Sequence, residues 1–238
     1  MILPQPLIEA TLIRRYKRFL ADVRLPDGET ATAHCPNTGS MEGCAEPGSP
    51  VLLSQSMNQK RKLPFTLELV AVNGHWVGVN TMRSNSLVRE AITQGVVPEL
   101  SGYEDIRSEV RYGTNSRIDL LLSGAAGLCH VEVKNVTLVK GEKALFPDAV
   151  TTSGQKHLRE LMQVVQAGGR GVILFVVQRE DAHMFGVADS IDPNYGKLLR
   201  LAIQNGVEAL AYQAQMGSQE IFLTRRLPID LGDPLHNA

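Results

Sequence analysis

Two adjacent stretches, Ser116-Arg117-Ile118-Asp119-Leu120-Leu121-Leu122 and Cys129-His130-Val131-Glu132-Val133-Lys134-Asn135, decide how the second part of this 238-residue chain folds. Both are apolar enough for buried strands, and Gly124-Ala125-Ala126-Gly127 between them supplies a turn. Strand residues alternate faces, so Glu132 and Lys134 project from one side while Val131 and Val133 enter the core. If the two strands pair as a hairpin, Asp119 comes close to both. Two carboxylates and an ammonium then meet on an otherwise apolar sheet, where desolvation penalises them unless a cation compensates. The alternative is an ordinary ion pair on a strand edge.

Outward from this pair, strands and helices alternate. Strands are expected at 118–122, 129–136, 171–177 and 207–212. One helix opens at Gly154-Gln155-Lys156-His157-Leu158 with Leu158, Leu161, Met162 and Val165 on its buried face, and another spans about 195–204. Upstream, Asn85 can cap a helix from Ser86 to about Gln94. This grammar predicts an α/β (α+β) domain with a mixed central sheet over 83–238. The first 82 residues read differently. A strand-like run from Leu12 to Leu25 closes on Pro26-Asp27-Gly28, and breaks follow at Cys35–Ser40 and Pro47–Pro50. Val51–Leu53, Phe65–Val70 and His75–Val79 are further short strands, the last two joined by an Asn73-Gly74 hairpin signal. About five short strands suggest a small OB-like β-barrel over 1–82.

Composition narrows the function. Lys and Arg total 24 against 25 Asp and Glu, a net charge of −1, which excludes a protein coating nucleic acid through bulk charge. The balance is even within each part: 8 basic and 7 acidic residues up to 82, then 16 and 18. If the protein touches nucleic acid or phosphate, it must do so through local patches. Arg14, Arg15, Tyr16, Lys17 and Arg18, followed by Phe19, interleave cations with aromatics, and Lys60, Arg61 and Lys62 form a second cluster. On a barrel surface such a mix suits a nucleic-acid strand; the alternative is a solvated face over two core aromatics. Arg117 is counted with these cations. Cys35, Cys44 and Cys129 form no Cys-x-x-Cys pair, which predicts thiols in a reducing cytoplasm. No apolar run reaches the length of a membrane span, and no signal-like segment opens the sequence.

The chemistry follows from the residue types. Hard carboxylate oxygens of Asp119 and Glu132 suit Mg2+ or Mn2+, and Lys134 can orient a nucleophile or neutralise charge developing on phosphorus. The order Asp, spacer, Glu-x-Lys resembles the PD-(D/E)XK nuclease superfamily. Glu109 could add a third carboxylate, or be a solvated charge. Gln155, Lys156 and His157, read at a helix N-terminus, are candidates for the scissile phosphate; a surface role is the alternative for His157. No phosphate-binding Gly-rich loop, nucleophile elbow or dinucleotide fingerprint supports a small-molecule enzyme.

Six segments together resemble the sugar fermentation stimulation protein A family of bacteria and archaea: Arg15–Val23, His34–Met41, Ser116–Asp119, Glu132–Lys134, Phe146–Val150 and Gln155–Leu161. The resemblance covers nearly the whole chain. It implies an OB-like domain followed by a PD-(D/E)XK nuclease-like domain, with Asp119, Glu132 and Lys134 in the nuclease-like core. It further implies DNA binding, with RNA as a possible second partner, and either metal-dependent cleavage of phosphodiesters or a non-catalytic role in regulating sugar (maltose) metabolism genes. One departure is visible: Thr151-Thr152-Ser153-Gly154 stands where the family usually reads Thr-Glu-Arg-Gly.

Overall fold

A computed structural model describes residues 1–113 and 116–232. Six strands open the chain: β1 (Ile8–Tyr16), β2 (Leu20–Arg24), β3 (Thr30–His34), β4 (Pro50–Gln55), β5 (Phe65–Val72) and β6 (His75–Gly78). They pair in the order β3-β2-β1-β4-β5-β6, and a parallel contact between β3 and β5 closes the first five into an OB-like barrel. Leu12, Val23, Leu53, Leu67 and Val77 fill it. The run from Leu12 to Leu25, expected as one strand, is two. Lys17 and Arg18 reverse the chain between β1 and β2 with φ of 48° and 65°. That left-handed geometry is rare outside Gly, Asn and Asp, so nothing in these residue types announced the turn. The Asn73-Gly74 turn is as expected, with φ of 50° and 81°, as a two-residue hairpin loop with both central φ positive requires.

The second part begins with α1 (Ser84–Thr93) and three antiparallel strands, β7 (Asp105–Tyr112), β8 (Ser116–Gly124) and β9 (Gly127–Val136). Short strands β10 (Leu138–Lys140) and β11 (Lys143–Phe146) lead to α2 (Thr152–Gln166), then β12 (Arg170–Val177), β13 (Met184–Val187), α3 (Pro193–Gln204), β14 (Glu208–Met216) and β15 (Ile221–Arg226). The central sheet runs β15-β14-β12-β9-β8-β7, with β12 parallel to both β9 and β14 and every other pair antiparallel. Strands β10, β11 and β13 form a separate small sheet. The expected mixed sheet is therefore present, but it gains β7 and β15 at its edges. Both edge strands carry exposed charges at Arg107, Arg111, Arg225 and Arg226, which hid them from a search for apolar runs.

Each face of the central sheet is covered. Leu87, Val88 and Ala91 of α1, with Leu52 and Leu69 from the barrel wall, pack on Val131, Val133 and Leu174. Leu158, Leu161, Tyr195 and Leu199 of α2 and α3 pack on Ile173 and Phe175 from the other side. The barrel thus shares a core with the sheet. Among the described residues no helix is long and apolar enough to cross a membrane.

Asn85 does not cap α1. Asn80 instead accepts the Met82 N–H at 3.1 Å and starts a 3-10 turn, Thr81–Arg83, so that α1 begins at Ser84 and Asn85 lies inside it. The same crossing carries Glu68 of β5, which is 2% exposed. Its carboxylate accepts two bonds from Arg83 (2.6 and 2.7 Å), one from Ser54 (2.6 Å) and one from Asn80 (2.8 Å). Burial opposes its ionisation, but Arg83 and these donors hold its pKa below the usual range. Removing one partner of a buried pair leaves an uncompensated charge, so Arg83→Met should cost about 3–5 kcal/mol in urea unfolding at pH 7. A Glu68→Leu/Arg83→Met double variant should recover most of that loss. A single-variant cost below about 1 kcal/mol, the range of an exposed pair, would refute the assignment.

Candidate active site

The β8–β9 ladder runs from Leu120↔Val131 to Gly124↔Gly127, which leaves Asp119 at the open end of the hairpin, level with Glu132. There the Asp119 carboxylate takes the place of a ladder carbonyl: its Oδ2 accepts the Val133 N–H at 2.7 Å. Strict alternation fails at this point, since Ile118 and Leu121 join one core while Leu120 and Leu122 join the other. The neighbouring strand is irregular too. Glu109 of β7 has φ of 56°, a left-handed geometry that costs energy for a non-glycine residue and recurs at functional sites. Asn85 of α1 ties the strands together, its Nδ2 donating to Asp119 Oδ1 at 2.9 Å and Glu109 Oε1 at 3.2 Å.

Glu132 lies at the centre and is 2% exposed. Its Oε1 accepts from Lys134 Nζ at 2.6 Å and from His157 Nδ1, and Lys134 Nζ also lies 3.2 Å from that ring nitrogen. Its Oε2 is buried without a hydrogen-bond partner. Burial disfavours the Glu132 charge, yet the His157 hydrogen bond and the Lys134 charge outweigh it and leave the pKa lowered. Asp119 goes the other way. Burial and the neighbouring Glu132 charge push its pKa up to about 6, against the opposing Val133 and Asn85 bonds. A carboxylate pair that resists full ionisation, with one oxygen orphaned, fits a hard divalent cation. Among the described residues no three His, Cys, Asp or Glu side chains form a ready metal cage, so Asp119 and Glu132 would leave positions to water or substrate oxygen.

The remaining candidates divide. His157 is joined to Glu132, and Glu109 reaches Asp119 through Asn85. Gln155, Lys156 and His157 are not at the helix N-terminus as read from sequence, because Thr151 caps α2 by accepting the Gly154 N–H at 3.1 Å and the helix starts at Thr152. Gln155 donates to Asp192 at 3.2 Å, and Lys156 lies 3.7 Å from Glu160. On the barrel, the Arg15 guanidinium donates to the carbonyls of Arg18, Asn37, Gly39 and Ser40 (2.8–3.1 Å) and braces that loop. Arg14 pairs with Asp22 at 2.8 Å and lies 4.8 Å over the Tyr16 ring. Lys17, Arg18, Lys60, Arg61, Lys62 and Arg117 are exposed. Cys35, Cys44 and Cys129 are buried thiols.

Sequence reasoning missed three residues. Asn85 looked like a cap. Glu160, 6% exposed, accepts the Ser116 Oγ at 2.8 Å and has a second buried, unpartnered oxygen. The signal was a carboxylate beside Leu161 on the apolar stripe of α2. The Tyr112 hydroxyl is buried and unpartnered, and its pKa is driven well up by burial and by the charges of Glu132, Glu160 and Asp119.

The Asp119 shift gives a pH signature. A carboxyl whose pKa rises on folding binds its proton more tightly in the native state, so its contribution to stability is fully present below about pH 4 and lost as pH rises through about 6. In EDTA, the stability of Asp119→Asn relative to the parent should therefore climb by about 2–3 kcal/mol from pH 4 to pH 7. A pH-independent difference in chemical unfolding would contradict the assigned environment.

The chain matches the family model described as "Sugar fermentation stimulation protein RE domain" over residues 82–220 and that of the "SfsA N-terminal OB domain" over residues 13–79. A "Sugar fermentation stimulation protein homolog" of Geobacter sulfurreducens is 65% identical over 98% of this chain and 100% of that protein. One from Pelobacter propionicus is 65% identical over 95% of this chain and 98% of that protein. Among solved structures, Pyrococcus furiosus SfsA in complex with Ca2+ aligns with a TM-score of 0.90 at 28% identity, covering 97% of this chain and 98% of that one. With both domain models matched in order, the chain belongs to the sugar fermentation stimulation protein family.

Proposed function

We propose that this protein binds nucleic acid on its barrel and cleaves DNA or RNA phosphodiesters at Asp119, Glu132 and Lys134 with the help of a divalent cation. The observation that carries this reading is the buried Glu132 carboxylate, with one oxygen held by Lys134 and His157 and the other unpartnered, beside an Asp119 that resists ionisation. The Ca2+ complex of the Pyrococcus furiosus relative supports a divalent ion in this family.

A Mg2+ or Mn2+ ion held by Asp119 and Glu132 would acidify a bound water and screen the phosphodiester charge. The protein's own groups prepare the rest. Asn85 and the Val133 N–H fix the Asp119 carboxylate in one orientation. Lys134 offers an ammonium where negative charge accumulates on the phosphoryl oxygens. His157 and Lys134 together keep Glu132 ionised despite its burial. Lys17 and Arg18 occupy the β1–β2 turn and Lys60 to Lys62 the β4–β5 loop, the two loops with which OB barrels hold oligonucleotides. Arg18 also lines a cleft that Lys134 lines from the sheet, so barrel cations and proposed site share one surface.

A second reading, a DNA-binding regulator without turnover, is favoured by the Lys134 ammonium being engaged with Glu132. One assay separates the two. Labelled DNA and RNA incubated with Mg2+, Mn2+ or EDTA should be cut only with metal, and Asp119→Ala or Lys134→Ala should slow cutting at least about a hundredfold while oligonucleotide binding persists. Cutting that survives Asp119→Ala refutes the nuclease reading; salt-dependent binding with no cutting by the metal-loaded parent selects the regulator. Neutralising Lys60, Arg61 or Lys62 should lower the slope of log K against log salt by about one for each phosphate that no longer meets a cation.

A further inference from the structure

The cleft between barrel and sheet is a half-open pocket of about 490 Å³. Arg18, Thr38, Lys134, Asn135, Phe146 and Asp148 are among its lining residues. Its two walls are fastened together. The Met41 N–H of the barrel loop donates to Asp148 at 3.0 Å, and Gly39 approaches Asp148 so closely that a Cβ there would lie 2.4 Å from the carboxylate oxygens. Arg15 braces the same loop through four carbonyls. These ties make the cleft a pocket with a fixed width.

We infer that this pocket receives one nucleoside of a single strand, next to the phosphate held at Lys134, so that the site takes single-stranded or frayed nucleic acid in preference to an intact duplex. The volume falls in the range of roughly 300–1,000 Å³ typical of small-molecule sites, which suits one base and sugar. Its lining suits a nucleoside as well. Asn135 Oδ1 already accepts from Ser84 Oγ at 3.1 Å and from Gln178 Nε2, which leaves Nδ2 as its remaining donor at the wall. Asp148 contributes an acceptor, and Arg18 and Lys134 the cations on which flanking phosphates would lie. A duplex could offer such a unit only by unpairing and unstacking it, a cost that a single strand does not carry.

The inference takes its substrate from the nuclease reading, but its test does not require cleavage. In the Asp119→Ala protein with EDTA, a short fluorescein-labelled single strand should bind at least about tenfold more tightly than the same sequence in a blunt duplex at equal salt. Thr38→Trp and Val150→Trp, both at exposed positions of the pocket lining, should each remove that advantage while thermal unfolding stays at the parent value. Duplex binding as tight as single-strand binding would overturn the inference, as would an undiminished preference in both well-folded Trp variants. Absence of cleavage by the parent protein would remove the nuclease reading and leave this comparison intact.

Discussion

Keeping the Glu132 carboxylate charged inside the fold is the constraint on which the rest of this structure turns. An isolated carboxylate at 2% exposure would take up a proton or destabilise the sheet. Two elements prevent it. Strand β9 supplies Lys134 two residues on and α2 supplies His157, while the neighbouring Asp119 of β8 opposes them and its own pKa rises in response. The compensation is incomplete, because one Glu132 oxygen is unpartnered and Asp119 resists ionisation. A closed salt bridge would leave no such deficit. What remains is a charge arrangement that a cation would complete, as the proposed function requires.

The fold around this point serves to hold it rigid. Central strands β9 and β12 are covered on both faces, so backbone motion at Glu132 would disturb two cores at once. Helix α1 does more than cover the sheet: its Asn85 reaches across to the carboxylates of β7 and β8. The chain enters α1 from the barrel beside the buried Glu68–Arg83 pair, and the barrel wall contributes Leu52 and Leu69 to the core under the same sheet. Position of the barrel and geometry of the site are therefore set by connected packing, which is what allows a barrel loop to form one wall of the cleft at Lys134.

Much of this was legible in the residues, and the failures have physical causes. The β8–β9 pair could be read because a carboxylate and an ammonium at alternate positions of an apolar run demand an explanation in any fold. His157 was noticed, but its partner was not, since a contact between α2 and β9 is set by tertiary packing alone. Asn85 carried a misleading local signal: an Asn before a helical pattern reads as a cap, and here it lies inside the helix with its amide spent on two carboxylates. Edge strands β7 and β15 lacked apolar runs because each faces solvent along one side. The cationic strip at Arg14–Arg18 looked uniform in sequence. In the fold it divides, with Arg14 paired to Asp22 and the Arg15 guanidinium donating to loop carbonyls, while Lys17 and Arg18 stand on a turn that only backbone geometry reveals.

The central claim is that Asp119 and Glu132 form a divalent-cation site, and it can be seen directly. Crystals of the protein soaked in Mn2+ and measured at a wavelength where manganese scatters anomalously should show a peak in contact with the Asp119 carboxylate and Glu132 Oε2, and the peak should vanish in Asp119→Ala. A peak elsewhere, or none at these two carboxylates at a pH well above 6 where both are ionised, would contradict it.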